Sequence, residues 1–470
     1  MSGSSLSSKN GAHILMFPFP AQGHMLPILD LASQLAKHGL TITIIVTPKN
    51  LPILSPLLAA EPTIKALVFP FPPHPSVPFG AENVKDIGNS GNAPIIGALA
   101  KLHDEIVAWF KFQACPPIAL ISDFFLGWTQ DLAHKIGVKR IVFYSSGAFL
   151  ASTFDYIWKN FDVVRSLDEV EFYEFPRKPR FLKEHLPSVF RKYNESDPDW
   201  VIIKKGMVAN SSSWGAIINT FSAMENDFLE YFKRLMGHQR VYSIGPVNLL
   251  SGEERESDPN VFPISEVLSW LDGCECDDGS VLYVCFGSQT VLSQAQIDSL
   301  GSALDESGVK FVWVIKPITA QQEAIPYELD TRVRGRGLII RGWAPQVPIL
   351  SHRAVGGFLS HCGWNSVLEA VVGGVMILAW PMEADQYINA RLLVDYMDVA
   401  VQVCEGRDTV PNSIELARNI FEAMTRDFIQ KEKANKLRDR TLEAIKGGGS
   451  STNDMETLVE EISNLVYLDA

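Results

Sequence analysis

The sequence predicts an α/β protein of two domains, each a doubly wound parallel sheet covered by helices. At 470 residues the chain exceeds one ordinary domain and suits two large ones. Strand-length runs such as ITIIV at 42–46 and VLYVCF at 281–286 are apolar without alternation, which is typical of strands buried on both faces. Segments with helical spacing separate these runs, and in one of them Ile28, Leu31 and Leu35 share a face. This alternation recurs in both halves and indicates two parallel sheets.

The strand-length runs follow one another along the whole chain. In the first half they are His13–Phe19, Leu40–Thr47, Ala66–Pro70, Ile118–Ser122, Arg140–Tyr144 and Ala216–Asn219. In the second half they are Val281–Phe286, Lys310–Ile315, Gly337–Arg341, Val355–Ser360, Val375–Trp380 and Val399–Val403. Two such sheets normally leave a cleft between the carboxyl ends of their strands, and we expect the functional site there.

The domain boundary is predicted within 245–263, where Gly245-Pro246 precedes the charged, breaker-rich run SGEERESDPN. An irregular stretch at 177–200 is interpreted as a lid or an acceptor loop. The GGGSS run at 447–451 is interpreted as a flexible joint before a last amphipathic helix, which is expected to return to the N-terminal domain. The predicted units are an N-terminal domain at 1–248, a linker at 249–262, a C-terminal domain at 263–450 and the last helix at 451–470.

Composition and charge exclude several classes of protein. A hydrophobic share of 46% with a charged share of 20% allows sizeable cores, so a mainly disordered chain is excluded. The 41 Lys and Arg against 54 Asp and Glu give a net charge of −13 with no basic block, which argues against nucleic-acid binding. The six cysteines contain no CxxC pair and are too scattered for a disulfide framework.

The start of the chain and its apolar runs bear on localisation. MSGSSLSSKNG is a polar tail rather than a signal peptide. No run reaches the ~20 apolar residues that a membrane span requires. We therefore expect a cytoplasmic, soluble protein without membrane insertion. A monomer is expected as well, although no sequence pattern indicates the oligomeric state.

The densest cluster of polar and aromatic residues lies at 343–386. Its centre is a strand followed by HCGWNS, beginning at His361, and then a helix. Asn365 or Ser366 suits the N-cap, and Ser366 with Glu369 has capping-box spacing. A glycine turn before a helix presents free backbone N–H groups and a partial positive charge, which suits a diphosphate bound by an acidic protein. For the cap alone, a purely structural role is the alternative.

These 44 residues resemble, nearly residue for residue, the secondary-product box of the plant family 1 UDP-sugar glycosyltransferases. The resemblance extends in order along the chain through FPFPAQGHMLP, SDFFLGW, SSWGAIINTFSAMEND and the SWLD–VLYVCFGSQT pair. It is closest to the branch that acts on flavonols and small phenolic acids. It implies the GT-B fold, in which two Rossmann-like domains face each other, and an inverting transfer that needs no metal and no cofactor beyond the UDP-sugar co-substrate.

The resemblance also implies roles for residues of the box. Trp343 would stack on uracil, Ala344 would offer backbone hydrogen bonds and Gln346 would reach the ribose. Glu369 would bind the ribose hydroxyls, a role that competes with the capping interpretation. The residues implied to hold the diphosphate are Ser288, His361, Asn365 and Ser366. The residues implied to meet the sugar hydroxyls are Trp364, Asp385 and Gln386.

The identity of the sugar depends on two positions. In this family a terminal Gln of the box is associated with UDP-glucose and a His with other sugars, so Gln386 favours glucose. Ser145 stands where the family usually has a threonine that touches the sugar, and it keeps the hydroxyl without the methyl group. Xylosyl or rhamnosyl transfer is the alternative within the family. A non-catalytic UDP-sugar-binding protein is the alternative of a different class.

His24 follows the first strand and matches the histidine that serves as general base in this family. A lone histidine there is otherwise more often structural. An imidazole that titrates near pH ~6.5 can accept a phenolic proton. Asp123 ends the strand at 118–122 and matches the aspartate that orients the base; the alternative is an N-cap for a helix at 128–135. The deprotonated acceptor oxygen would then attack opposite UDP, so an α-linked donor would give a β-glycoside.

Aromatic side chains in the N-terminal domain would suit a flat phenolic acceptor. Phe19, Phe125 and Phe190 are the residues expected to contact a flavonoid or phenolic acceptor.

Two other enzyme classes are the alternatives to this interpretation. A Rossmann oxidoreductase is rejected because PFPAQGH, not G-x-G-x-x-G, follows the first strand. A metal-dependent transferase would need an Asp-x-Asp motif, and Asp197-Pro-Asp199 has that spacing but lies in a loop without a preceding strand.

Overall fold

The structure is a computed structural model that describes residues 11–251, 262–274, 278–315, 327–425 and 428–465. Most of the predicted linker, 252–261, lies outside the described residues, as do residues 466–470 of the predicted last helix. Among the described residues, no helix combines the length and the apolar character needed to cross a membrane.

The first half of the chain contains a seven-stranded sheet and a short hairpin. Its strands are β1 His13–Phe17, β2 Thr41–Val46, β3 Ile64–Val68, β4 Ala119–Asp123, β5 Lys139–Tyr144, β6 Glu169–Glu171, β7 Arg180–Leu182, β8 Gly215–Ile218 and β9 Val241–Ser243. The sheet order is β3-β2-β1-β4-β5-β8-β9, and its neighbouring strands are parallel. The strands β6 and β7 pair with each other in antiparallel fashion and form a separate two-stranded sheet.

The second half contains a six-stranded parallel sheet. Its strands are β10 Val281–Cys285, β11 Lys310–Ile315, β12 Gly337–Arg341, β13 Val355–Ser360, β14 Met376–Ala379 and β15 Ala400–Gln402. The order β12-β11-β10-β13-β14-β15 reverses at β10 and β13, as the order of the first sheet does at β1 and β4. A crevice opens at such a reversal, beyond the carboxyl ends of the strands.

The helices cover both sheets. They are α1 Gln22–Lys37, α2 Leu51–Ala60, α3 Asn92–Ala100, α4 His103–Lys111, α5 Thr129–Ile136, α6 Ala148–Lys159, α7 Phe161–Ser166, α8 Ser188–Arg191, α9 Pro198–Ala209, α10 Ser222–Met236, α11 Val247–Ser251, α12 Ile264–Asp272, α13 Gln294–Ser307, α14 Tyr327–Arg332, α15 Gln346–Leu350, α16 Trp364–Gly373, α17 Gln386–Arg391, α18 Ser413–Thr425, α19 Ile429–Ile445 and α20 Ser450–Ser463.

The apolar runs explain why the sheets are buried. In β2 and β5 every residue after the first is buried, because helices lie on both faces of the sheet. The helix α20 packs its Leu458 and Ile462, both fully buried, into the same core as Ile14 of β1. Ser451, at the start of α20, donates a hydrogen bond to the carbonyl of Gly245 at 2.7 Å. The C-terminal helix therefore lies on the N-terminal sheet.

The predicted fold class is confirmed by these two parallel sheets with helices on both faces. The strand β9 was not predicted, because VYS at 241–243 is too short for a run of strand length and becomes a strand only by pairing with β8 at the sheet edge. The hairpin β6–β7 was not predicted either, and it lies partly within the irregular stretch 177–200.

Candidate active site

A cleft of about 1200 Å³ lies between the two sheets. It is lined by His24 and by every residue that was expected to contact the donor: Ser145, Ser288, Trp343, Ala344, Gln346, His361, Trp364, Asn365, Ser366, Glu369, Asp385 and Gln386. The topology accounts for this convergence, because the segments that follow parallel strands all leave the sheet at its carboxyl edge. The cleft also contains Phe125, the residue of the expected acceptor pocket nearest to Asp123 in sequence.

His24 and Asp123 form a hydrogen-bonded pair at the N-terminal wall of this cleft. His24 lies in the first turn of α1, and Asp123 ends β4, the neighbour of β1 in the sheet. The His24 Nδ1 atom lies 2.9 Å from Asp123 Oδ2, and Asp123 is completely buried. A carboxylate only accepts, so Nδ1 carries the proton and Nε2 presents a lone pair.

The other oxygen of Asp123 has a structural role. Asp123 Oδ1 accepts the backbone N–H of Phe125 at 2.9 Å and caps the single 3₁₀ turn Phe124–Leu126. The expected alternative was a cap on the helix at 128–135. The structure corrects this, because α5 begins at Thr129 and takes no side-chain cap from Trp128 before it. One carboxylate therefore orients the histidine and shapes the adjacent loop at the same time.

Aromatic rings enclose the imidazole of His24. Phe124 stacks on it with a centroid separation of 5.4 Å, and Phe125 lies at 4.8 Å. Phe19 meets the same ring edge-on at 5.3 Å. Ser145 Oγ lies 3.3 Å from His24 Nδ1, so the serine that replaces the family's threonine is next to the pair. The rings restrict the imidazole to one orientation.

Two of the three expected acceptor residues need correction. Phe19 is completely buried behind the cleft wall, where its ring supports His24 and Phe125 rather than facing the cleft. Phe190 is 2% exposed and packs edge-on against Trp158 and Phe161, so it belongs to the core of the N-terminal domain. Its neighbours Ser188 and Val189 line the cleft instead. A helical turn sends adjacent residues in different directions, and sequence alone did not show which one faces the cleft.

The polar end of the cleft holds a chain of hydrogen bonds centred on Gln346. Its Nε2 donates to Ser366 Oγ at 3.0 Å and to Glu369 Oε2 at 2.5 Å, while its Oε1 accepts from the hydroxyl of Tyr283 at 3.2 Å. Tyr283 was missed, because it lies in an apolar strand with no sequence pattern that marks it. Trp343, close in sequence to Gln346, is 40% exposed and so offers a free aromatic face.

The helix α16 begins at Trp364, with Gly363 as its N-cap residue and no side-chain cap. This corrects the expected cap at Asn365 or Ser366. Asn365 instead donates across the cleft to the carbonyl of Gly23 at 3.3 Å, and the hydroxyl of Ser366 accepts from Gln346. The first turn of α16 therefore keeps backbone N–H groups that no capping side chain covers, which is the arrangement that binds anions.

Two glycines make room for the ring of His361. A Cβ on Gly287 or on Gly363 would lie 2.5 Å from His361 Nε2. Gly287 also has φ of +73°, a conformation that favours glycine. Gly287 was not singled out from the sequence, although the FGS run that contains it marks a turn after a strand. The two glycines bring the imidazole against the β10 loop and the start of α16.

Trp364 contributes its ring, not its N–H group, to the cleft. Its Nε1 donates to the carbonyl of Asn219 at 2.8 Å, which joins the two domains. A Cβ on Gly147 would lie 2.6 Å from the Trp364 ring, so the backbone of the N-terminal domain approaches this side chain closely. The indole N–H group is thus already used, and any contact of this side chain with a sugar would come from its ring.

Asp385 and Gln386 lie at the start of α17. Burial raises the pKa of the Asp385 carboxyl, although a hydrogen bond from Asn389 at 2.8 Å partly offsets this effect. Gln386 Oε1 accepts the backbone N–H groups of Met382 and Glu383, both at 2.9 Å. Two N–H donors require an oxygen, so the amide orientation is fixed and its NH₂ group is the end available to a ligand.

The Asp-x-Asp motif at 197–199 has a structural explanation. Asp197 caps α9 by accepting the backbone N–H of Asp199 at 3.0 Å. Asp199 pairs with His74 at 3.0 Å. Both carboxylates thus hold elements of the N-terminal domain together, and neither lines the cleft.

Comparison with known proteins agrees with this geometry. Residues 274–437 match the family model described as UDP-glucoronosyl and UDP-glucosyl transferase. UDP-glycosyltransferase 89A2 of Arabidopsis thaliana is 48% identical over 457 residues, and flavonol 3-O-glucosyltransferase UGT89B1 of the same plant is 46% identical over 463 residues; each comparison covers 96% of both chains. The crystal structure of Arabidopsis thaliana UGT89C1 complexed with UDP-L-rhamnose has a TM-score of 0.80 at 36% identity, over 96% of this chain and 99% of that one. The same protein has been crystallised with quercetin.

Likeness of this extent, over nearly the whole length of both chains, goes beyond a shared fold. The resemblance stated from the sequence is confirmed, and the two facing sheets form a GT-B structure like those of these relatives. The chain belongs to the plant family 1 UDP-sugar glycosyltransferases, within the UGT89 group, and is a UDP-glycosyltransferase.

Proposed function

We propose that this enzyme transfers glucose from UDP-glucose to a hydroxyl of a flavonol or a related phenol, with inversion, to give a β-glycoside. The observation that carries the proposal is the His24–Asp123 pair, held at 2.9 Å and enclosed by aromatic rings in the cleft that also contains the donor box. The N-terminal domain would hold the acceptor and the C-terminal domain the donor.

His24 is proposed as the general base. Its Nδ1–H donates to Asp123, so Nε2 takes the proton from the acceptor hydroxyl while the carboxylate stabilises the imidazolium that forms. The acceptor oxygen attacks the anomeric carbon from the face opposite UDP. One displacement inverts that centre.

The leaving UDP would be stabilised without a metal. Charge develops on the β-phosphate as the glycosidic bond breaks, and the uncapped first turn of α16 supplies N–H groups and a partial positive charge for it. His361, held by Gly287 and Gly363, and Ser288 would donate further hydrogen bonds. The Gln346–Glu369 pair would meet the ribose, and Trp343 would stack on the uracil.

Glucose is favoured as the sugar by the turn that begins α17. Asp385 offers carboxylate oxygens, and Gln386 offers an NH₂ group in a fixed orientation, which together match a sugar with several hydroxyls. The relative UGT89B1 is named a flavonol 3-O-glucosyltransferase, which supports both the sugar and the acceptor. Rhamnose is the second candidate, because the similar UGT89C1 binds UDP-L-rhamnose.

A flavonol is favoured as the acceptor by the walls near His24. Phe125, Leu150, Phe154 and Val189 line that end of the cleft and offer flat, apolar surface to an aromatic ligand. The crystal complex of UGT89C1 with quercetin supports this class.

The test is a screen of donors against acceptors in the presence of EDTA, with UDP release and glycoside mass measured together. UDP-glucose, UDP-xylose and UDP-rhamnose would be combined with a flavonol, a hydroxybenzoate and a simple alcohol. We expect metal-independent glucoside on the flavonol, and we expect His24→Ala to lose turnover while still binding UDP. Full activity in His24→Ala would refute the mechanism, preference for UDP-rhamnose would refute the sugar, and loss of activity with EDTA would refute the metal-free transfer.

A further inference from the structure

The segment 177–192 of the N-terminal domain runs along α17 of the C-terminal domain. Arg177 donates to the carbonyl of Tyr396 at 3.1 Å, and Arg391 lies over the ring of Phe181 at 5.4 Å. These contacts join this segment, interpreted from the sequence as part of a lid or an acceptor loop, to α17 and to the turn 392–396 that follows it. The helix α17 begins at Gln386, the residue assigned to the sugar.

Two further contacts continue this row to the cleft itself. The ring of His185 stacks on Tyr387, with centroids 4.3 Å apart and planes inclined by 10°. Lys192 Nζ donates to Glu383 Oε1 at 2.7 Å. Glu383, Tyr387 and Arg391 are spaced four residues apart, which places Tyr387 and Arg391 on one face of α17 with Glu383 just before its start.

The carboxylate of Glu383 has more hydrogen-bond partners than the other side chains in this row. Its Oε2 accepts from Asn89 at 3.3 Å and also from Arg407, so groups from both domains converge on one carboxylate. Its side chain is 10% exposed. Burial alone would raise the pKa of Glu383, but the hydrogen bond and charge of Lys192, together with Arg407 and Asn89, lower it below the usual value. The carboxylate is therefore held in its charged form between the domains.

The position of these contacts gives them a function beyond joining the domains. Residues 187–189 line the cleft, and they lie between His185 and Lys192, the two anchors on the C-terminal domain. On the other side, the backbone N–H of Glu383 is bound by Gln386, in a turn where Ala384 adopts φ of +58°. The wall assigned to the acceptor and the turn assigned to the sugar are therefore attached to each other through His185–Tyr387 and Lys192–Glu383.

We propose that Lys192–Glu383 and His185–Tyr387 are positioning contacts that hold the acceptor wall 187–189 in register with the sugar-binding turn, and so determine which acceptor hydroxyl reaches His24. Lys192 and His185 act through the wall and do not contact the reacting atoms. The inference rests on the proposed assignment of this end of the cleft to the acceptor. It identifies regiochemistry as a property of the interdomain contacts as well as of the pocket surface.

The test compares Lys192→Met with the wild type on a flavonol that carries several hydroxyls. Methionine keeps the length of the stem and removes the charge, and Lys192 itself does not line the cleft. We expect the ratio of regioisomeric glucosides to change and the acceptor KM to rise about fivefold, the factor that fits one partly exposed ion pair. The KM for UDP-glucose should stay within about twofold, and Lys192→Arg, which keeps the charge, should restore the product ratio.

Lys159→Met is the matched control. Lys159 pairs with Asp155 at 2.7 Å with similar exposure of both partners, but both residues lie on α6 within one domain. A loss of stability alone would affect both variants, whereas the proposal requires a changed product ratio only in Lys192→Met. An unchanged ratio and acceptor KM in Lys192→Met would overturn the proposal, and so would the same change in the control.

A second readout separates this proposal from the proposed function. The release of UDP from UDP-glucose without acceptor reports water entry at the reacting centre, and it should rise about fivefold in Lys192→Met but not in Lys159→Met. If the wild type glucosylates no flavonol, the proposed acceptor class is wrong. The hydrolysis rate then still tests whether Lys192–Glu383 and His185–Tyr387 act as positioning contacts. Equal hydrolysis rates in the wild type and in Lys192→Met would overturn this positioning role.

Discussion

Asp123→Asn tests the proposed base with the smallest possible change of shape. Asp123 Oδ2 accepts from His24 Nδ1 and Oδ1 accepts from the backbone N–H of Phe125, both at 2.9 Å. An amide has only one oxygen, and the backbone N–H can only donate, so the asparagine oxygen stays with Phe125. Its NH₂ group then faces His24 Nδ1, which must accept, and the imidazole proton moves to Nε2. The nitrogen that should take the acceptor's proton is thereby blocked.

The size of the effect follows from this wrong tautomer. Asp123 is completely buried, so water cannot replace the missing carboxylate. We expect kcat to fall by about 10³- to 10⁴-fold, which corresponds to about 4–5.5 kcal/mol of lost transition-state stabilisation. Initial rates at saturating UDP-glucose and flavonol would measure it, and calorimetry should show UDP binding unchanged within about threefold, because Asp123 lies on the opposite domain from the donor box.

The chain contains a matched control for this substitution. His74 and Asp199 form a second His–Asp pair in the same domain, at 3.0 Å and largely buried, but outside the cleft. Asp199→Asn should lower stability and leave kcat within about twofold of the wild type. The reasoning fails if Asp123→Asn keeps more than a tenth of the wild-type kcat, or if the two variants lose activity equally.

Three further predictions concern the donor side and the framework of the pair. Gln386→His should lower transfer from UDP-glucose relative to other UDP-sugars in a competition assay, because the imidazole cannot both satisfy two backbone N–H groups and offer an NH₂ group; an unchanged donor ranking would show that Gln386 does not select the sugar. Gly287→Ala should weaken UDP binding by about 5- to 30-fold in calorimetry, because a left-handed alanine costs about 1–2 kcal/mol and its Cβ would displace His361 from the diphosphate site. Binding within about twofold of the wild type would contradict this placement of His361. Arg140→Met should reduce the free energy of unfolding, measured by urea titration, by about 3 kcal/mol. The reason is that the buried oxygens of Ser122, Asn210 and Ser213 lose their hydrogen-bond donor. A loss below about 1 kcal/mol would mean that water replaces the guanidinium group as the donor.

Sequence could predict those parts of the fold that depend on local pattern. The unbroken apolar runs predicted the strands of both sheets except β9, because burial on both faces imposes that composition. The N-cap of α16 was predicted wrongly for a reason that is not local. Asn365 and Ser366 are good capping types, but their side chains are engaged by Gly23 and Gln346, which are distant in sequence.

Some of the features that sequence could not predict depend on pairing between residues far apart in the chain. Arg140 reads as an ordinary charged residue at the start of a strand, yet it is buried and donates to side chains up to 73 residues away. Glu383 lies in the recognised box, but its partner Lys192 is 191 residues earlier. Phe190 and Val189 are neighbours with opposite outcomes, one in the core and one at the cleft. The pattern of residue types along the chain does not show which distant residues will meet, or which of two neighbours will face the cleft.

This division has a topological cause. Most of the residues assigned to the donor lie between Trp343 and Gln386, because α15, β13, α16, β14 and α17 follow one another along the chain and return to the same edge of the C-terminal sheet. A fixed ligand such as UDP can therefore leave a contiguous pattern in the sequence. The acceptor side is assembled differently, from the segments after β1, β4 and β5 and from 187–189, whose place depends on His185 and Lys192 meeting α17 and Glu383. Acceptor choice should consequently change through substitutions at these interdomain contacts while the donor box stays intact.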